Sequence, residues 1–260
     1  MIIDFYKYQG TGNDFVVLDN RNEQYNGLTT KQIHFLCDRR FGIGADGLML
    51  LNLQQGYDFE MKYYNADGNE GSMCGNGGRC LVKFAFDKGI HKDKYFFIAT
   101  DGAHEASIDD KGIVKLKMKD VFEVDDWRGD SILNTGSPHY IKRVTNLDAL
   151  DVFNKGREIR YNDTFKKEGI NVNFVEPKTI DEIFVRTYER GVEDETYSCG
   201  TGVTAAALVN YHNELGFNNV TVFTKGGKLS VEYEKNGPQL YTNIWLCGPA
   251  VKVFGGSISL

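Results

Sequence analysis

Proline is scarce in this chain, four residues in 260, and no apolar run approaches the length that would span a bilayer. Basic clusters are equally thin. Lys115, Lys117 and Lys119 alternate with Val114, Leu116 and Met118 as the wet face of a strand would, and the formal net charge is −6, which excludes a nucleic-acid footprint. The N-terminal Met1-Ile2-Ile3-Asp4-Phe5-Tyr6-Lys7 has no basic segment leading into a long apolar stretch, so a cytoplasmic protein with no membrane partner is expected. The five cysteines (Cys37, Cys74, Cys80, Cys199, Cys247) are odd in number and form neither a C-x-x-C pair nor a metal spacing. They are expected as reduced thiols, with no metal. No Gly-Lys-Ser/Thr phosphate loop occurs. Gly42-Ile43-Gly44-Ala45-Asp46-Gly47 satisfies G-x-G-x-x-G, but it follows a helical pattern and precedes an apolar strand. That order is the reverse of what dinucleotide binding requires, so the segment is read as a glycine-rich turn and no dinucleotide is expected there.

What is present is an ordinary globular composition with many short strand signals. Strands are predicted over 2–8, 14–19, 48–53, 57–64, 94–100, 104–109 and 113–118, with a helix capped by Thr29 or Thr30 and a second one running from Cys74 to a stop at Gly89. The acidic, irregular stretch 121–130 reads as a boundary between halves. Beyond it, strands are predicted over 138–144, 170–175 and 183–188, with a polar, loop-rich stretch between the first two. A helix apolar nearly all round follows Cys199 and is predicted to stop at Gly216. Strands over 220–224, 228–234, 239–246 and 250–254 complete the chain.

The halves repeat one plan. Tyr64 precedes Cys74 by ten residues and Tyr188 precedes Cys199 by eleven; each cysteine opens Cys-Gly-x-Gly and then a buried helix. An α+β fold of two pseudo-symmetric lobes is therefore expected: residues 1–120, completed by the last strand at 249–260, and residues 121–248. A thiol at a helix start sees the positive end of the peptide dipoles, which favours thiolate, and the amides beside it can hold a carboxylate. Cys74 and Cys199 are thus the candidate reactive pair, whereas Cys37, Cys80 and Cys247 lie in apolar runs and read as core. His139 and Glu189 are the best candidates to tune the thiols. Glu189-Arg190 ends a strand shortly before Cys199, where the carboxylate can accept a proton or an ammonium group and the guanidinium can hold a carboxylate. Asn13, Asn65, Asn76 and Asn171, in or beside turns, suit a zwitterionic ligand.

These segments resemble the diaminopimelate epimerase family. The resemblance is carried by Gly10-Thr11-Gly12-Asn13-Asp14-Phe15, by Arg39-Arg40-Phe41-Gly42 through Gly47, by Tyr64-Asn65-Ala66-Asp67-Gly68 and Met73-Cys74-Gly75-Asn76-Gly77, and by Glu189-Arg190-Gly191 with Cys199-Gly200-Thr201-Gly202. It implies two lobes, each a barrel-like sheet around a central helix, with the active site in the cleft between them. It further implies a cofactor-independent epimerase in lysine and peptidoglycan precursor synthesis, and a homodimer is the common assembly in the family. Cys74 and Cys199 would be the acid/base residues, supported by His139 and Glu189 respectively. Gly75, Asn76, Gly200 and Thr201 would offer amides to the reacting carboxylate, and Asn13, Asn65, Asn171, Glu189 and Arg190 would hold the rest of the substrate. The chain departs from the family pattern at Gly47, where several members carry a glutamine, at Ser137, where asparagine is usual, and in one extra residue between Glu189 and Cys199. A proline racemase-like enzyme is the near alternative, and a thiol-redox protein or cysteine hydrolase the distant one.

Overall fold

The computed structural model describes residues 1–71, 73–209 and 214–260. The chain forms two compact units, residues 1–116 with 248–260, and residues 117–247.

In the first unit β1 (Ile2–Gly10) and β2 (Asn13–Asp19) form an antiparallel hairpin. Its two-residue turn places Thr11 and Gly12 at φ 52 and 85, the twist that lets right-handed strands close. Helix α1 (Thr30–Cys37) begins with a capping box between Thr29 and Gln32 and buries Ile33, Leu36 and Cys37. It carries the chain to β3 (Gly47–Asn52), parallel to β2. β3 is buried on both faces, as a strand covered by helices must be. Leu48 and Leu50 join Ile33 and Leu36 in one cluster. β4 (Phe59–Asn65) returns antiparallel, and α2 (Gly75–Asp87) crosses to β5 (Tyr95–Ala99), parallel to β4. β6 (Gly102–Ile108) and β7 (Ile113–Lys117) follow as antiparallel neighbours. Ten of the thirteen α2 residues are buried, so this helix is core.

The second unit repeats those pairings in the same order. β8 (Asp125–Trp127) lies antiparallel to β9 (Asp130–Asn134), and β9 to β10 (Pro138–Arg143). α3 (Val152–Arg160) leads to β11 (Asn171–Pro177), parallel to β10, and β12 (Glu182–Glu189) returns antiparallel. A short β13 (Asp194–Thr196) hairpins onto β12, then α4 (Gly200–Leu208) crosses to β14 (Gly216–Thr224), parallel to β12. β15 (Gly227–Lys235) and β16 (Tyr241–Pro249) close the run. Finally β17 (Val251–Ser259) pairs antiparallel with β1, the position that β8 takes beside β9. The fold is α+β, two units of one topology.

Three expectations change. The stretch read as loop between β10 and β11 holds α3: its central Gly156 and its charged residues hide the pattern, and only Val152 and Gly156 are buried. The acidic 121–130 stretch is not irregular throughout, since it contributes β8 and the start of β9. Helix α4 ends at Leu208 with Val209 as its cap, and Gly216, at φ 91, opens β14 instead of stopping the helix. Residues 210–213 lie outside the described residues.

Gly156 lets α3 lie directly on β12. A Cβ there would stand 2.3 Å from Tyr188 Cβ and 2.6 Å from its Cγ. Gly156→Ala is expected to cost about 2 kcal/mol despite alanine's better helix propensity, read as a lower urea midpoint at unchanged slope.

Candidate active site

In the first unit the site is set by the step from β4 into α2. Cys74 is the N-cap of α2, with extended φ and ψ of −97 and 127, and its carbonyl accepts from Gly78 N–H at 2.7 Å. The helical ladder begins with that bond, so the amides of Gly75 and Asn76 take no part in it and lie at the positive end of the helix. The Cys74 thiol donates to Asn13 Oδ1 at 3.4 Å, and Asn76 Nδ2 donates to the same oxygen at 3.3 Å. Asn13 is oriented by its other end: Nδ2 donates to Asp46 Oδ2 at 2.6 Å, which leaves the oxygen toward the sulfur.

The glycine-rich turn before β3 supplies that anchor. Arg39 bridges Asp46 at 2.7 Å and Asp14 at 2.6 and 3.0 Å, and Lys7 meets Asp14 at 2.7 Å. Burial pushes the Asp14 carboxyl up, but its hydrogen bonds to Arg39 and Lys7, together with their charges, outweigh it and hold the group down at about 2. Lys7 also donates to the Gly44 carbonyl. Beneath the hairpin turn, the wholly buried Arg79 of α2 donates to Thr11 Oγ1 and to the Gly75 carbonyl. Asn65 ends β4 in register with Gly47, and its backbone closes the turn to Asn69. A side chain at position 47 would meet the Tyr63 ring at 2.5 Å, so the tyrosine fills the space that a glutamine would need.

In the second unit Cys199 is the N-cap of α4, with φ −112 and ψ 112, and its carbonyl accepts from Val203 N–H at 2.8 Å. Gly200 and Thr201 stand where Gly75 and Asn76 stand in α2. The Cys199 sulfur, in a residue 7 % exposed, lies 3.5 Å from Thr201 Oγ1. Thr201 Oγ1 is in turn 2.9 Å from His139 Nε2. His139 Nδ1 lies 3.0 Å from Asn173 Nδ2. In its own unit, then, the imidazole sits on the Cys199 side, with both ring nitrogens taken up. Its burial, and secondarily the charge of Arg190, push it down to about 3, so it is neutral at any physiological pH.

A second cluster forms around Asn171. Its Nδ2 donates to Ser137 Oγ at 2.9 Å and its Oδ1 accepts from Arg190 N–H at 2.9 Å, while Arg190 Nη2 donates to Ser137 Oγ at 3.3 Å. Ser137 thus ties Asn171 to the guanidinium. Glu189 Oε2 accepts from Thr196 Oγ1 at 2.9 Å. The β12–β13 hairpin that brings them together contains Gly191 and Glu193, both at positive φ. Cys37 and Cys80 are core residues, and burial raises both thiols to about 12. All five cysteines are thiols.

A family profile described as diaminopimelate epimerase matches residues 5–122 and 131–253. The chain belongs to the diaminopimelate epimerase family. It is accordingly an isomerase. A diaminopimelate epimerase of Flavobacterium psychrophilum is 51 % identical over 254 residues, covering 97 % of this chain and 99 % of the relative. One from Chlorobaculum tepidum is 44 % identical over 261 residues, covering 96 % and 99 %. Among solved structures, a phenazine biosynthesis protein of the PhzF family from Bacillus anthracis superposes with a TM-score of 0.78 at 16 % identity, covering all of both chains. A hydroxyproline epimerase from Agrobacterium vitis does so at 0.69 and 14 %, covering 100 % of this chain and 93 % of that one. At such identities the two structures establish the fold alone.

The structure brings Asn13 and Asn76 to Cys74, Thr201 to Cys199 through its side chain, and Asn171 to Arg190. Sequence reading missed the Asp46, Arg39 and Asp14 anchor, the buried Arg79, and Asn173. Asp46 and Arg39 carried a signal, an acidic and a basic residue bracketing the glycines. Asn173 carried none, because an asparagine inside an apolar strand has no local pattern.

Two expectations follow from this geometry. A Cβ at Gly202 would lie 2.3 Å from Asn173 Oδ1, whereas at Gly77 its nearest neighbours would be Met49 Sδ at 3.2 Å, Met61 Cε at 3.4 Å and Cys74 Cβ at 3.5 Å. Gly202→Ala should lose about 2 kcal/mol, and Gly77→Ala, cushioned by pliable methionines, should change stability by less than about 1 kcal/mol; paired denaturation curves check this. Asp14, depressed to about 2 when folded, contributes stability that is present above its unfolded value and lost as pH falls from about 4 toward 2. Neutral buried His139 adds a loss of the same sign that starts nearer its unfolded value, so Asp14→Asn in comparison with the parent should remove only the lower limb of the acid melting profile.

Proposed function

We propose that the chain interconverts LL- and meso-diaminopimelate in lysine and peptidoglycan precursor synthesis, with no cofactor, using Cys74 and Cys199 as the two proton-transfer groups. The observation that carries this reading is that matching steps of a duplicated topology each put a thiol at the N-cap of a buried helix. The α-proton of an amino acid is very weakly acidic. A thiolate that removes it needs the developing negative charge to be held elsewhere. The amides of Gly75 and Asn76 and of Gly200 and Thr201, at positive helix ends, are suited to hold the reacting carboxylate as charge builds on it. One sulfur then takes the proton and the other returns one, which inverts the centre.

Asn13, Asn65, Asn171, Glu189 and Arg190 would bind the remaining ammonium and carboxylate groups. The Ser137, Asn171 and Arg190 cluster favours a substrate with a polar second end over the proline-type alternative. Glu189 serves as the carboxylate near Cys199, and His139 as a neutral tuning group.

Cys74→Ser and Cys199→Ser should each fold normally and lose roughly a hundredfold to ten-thousandfold in turnover, measured as solvent-deuterium incorporation into diaminopimelate. Full activity in either variant would defeat the two-thiol reading and favour a single-nucleophile enzyme. Exchange into proline with none into diaminopimelate would reassign the substrate.

A further inference from the structure

We propose that Asn173 and His139 are positioning residues that turn the Thr201 hydroxyl into a hydrogen-bond donor aimed at the Cys199 sulfur. The direction of every bond in this chain follows from its far end. Thr187 Oγ1 donates to Asn173 Oδ1 at 2.9 Å. Asn173 Nδ2 donates to the Tyr140 carbonyl at 3.2 Å, and a carbonyl only accepts. The amide is therefore held with its NH2 toward His139, and His139 Nδ1, 3.0 Å away, must be the bare, accepting nitrogen. A neutral imidazole with a bare Nδ1 carries its proton on Nε2, and that proton goes to Thr201 Oγ1 at 2.9 Å. The one hydroxyl proton of Thr201 is left to point at Cys199 Sγ, 3.5 Å away.

The chain is built for this. Asn173 and His139 are completely buried and Thr187 nearly so, which removes water as a competing partner. The groups facing the ring are Thr201 and Gly202 of α4 and Asn173 of β11, while Leu133 of β9 and Asn171 of β11 are its register partners. The charge that acts on it is Arg190, which further opposes the imidazolium. Gly202 lacks a side chain where one would displace Asn173 Oδ1. A sulfur that receives a hydrogen bond is favoured as thiolate and fixed in direction, the state needed to take a proton.

The role rests on the two-thiol reading, but its first test does not involve turnover. In the full chain labelled with 15N-histidine, the His139 resonances, assigned by their loss in His139→Gln, should show Nε2 protonated and Nδ1 bare, without titrating between about pH 5 and pH 9. A proton on Nδ1, or an imidazolium in that range, would overturn the proposal whatever the enzyme acts on. The second test follows alkylation of Cys199 by iodoacetamide against pH, read by peptide mapping. Thr201→Val should move the midpoint upward by about one pH unit, close to tenfold less thiolate at neutral pH, and Thr201→Ser should restore it. Asn173→Asp puts an acceptor beside Nδ1, reverses the tautomer, and should move the midpoint in the same direction as Thr201→Val. An unmoved midpoint in Thr201→Val, or a shift that Thr201→Ser fails to restore, would overturn it. Loss of diaminopimelate turnover with the tautomer and the midpoints as expected would instead count against the substrate assignment.

Discussion

A parallel strand pair cannot be closed by a hairpin, and that restriction governs both units. Between β4 and β5, and again between β12 and β14, the chain has to cross the sheet, and it does so as a helix buried against the strands. Burial demands an apolar, small-residue helix, which the Gly-Gly and Ala-Ala-Ala stretches of α2 and α4 provide. It also delivers each helix start just beyond the carboxyl end of the preceding strand, where open α/β sheets place their ligands. Cysteine at that position faces the positive end of the peptide dipoles, half-buried at Cys74 and buried at Cys199. The placement of the thiols is thus a consequence of how the sheet is connected.

The two sites share this frame and differ in what steadies it. Around Cys74 the support is ionic, running from Asn13 to Asp46, Arg39, Asp14 and Lys7, and much of it is near solvent. Around Cys199 it is a neutral, buried series ending in Asn173 and Thr187. Salt and pH act on the first kind of support far more than on the second. Two thiols in equivalent positions are therefore unlike in environment.

Much of the fold was legible because its signals are local. The alternation in β7, the helix cap at Thr29 or Thr30, and the paired Cys-Gly-x-Gly segments each state a structure within a few residues. What was not legible depends on partners distant in sequence. Helix α3 is held by Tyr188 against Gly156, so its own residues look like loop. The candidate site divides the same way. The cysteines and the turn asparagines announce themselves, whereas the direction of the His139 ring is decided by Asn173, Tyr140 and Thr187, which only the strand register places beside it. Gly47 is explained by the Tyr63 ring occupying its flank.

The first unit is not finished by its own segment. β17, drawn from the end of the chain, lies along β1, and the amino group of Met1 reaches the Leu260 carbonyl at 2.8 Å. During synthesis, then, the later unit is the first to have all its strands outside the ribosome. The earlier one waits with the edge of β1 uncovered until β17 emerges.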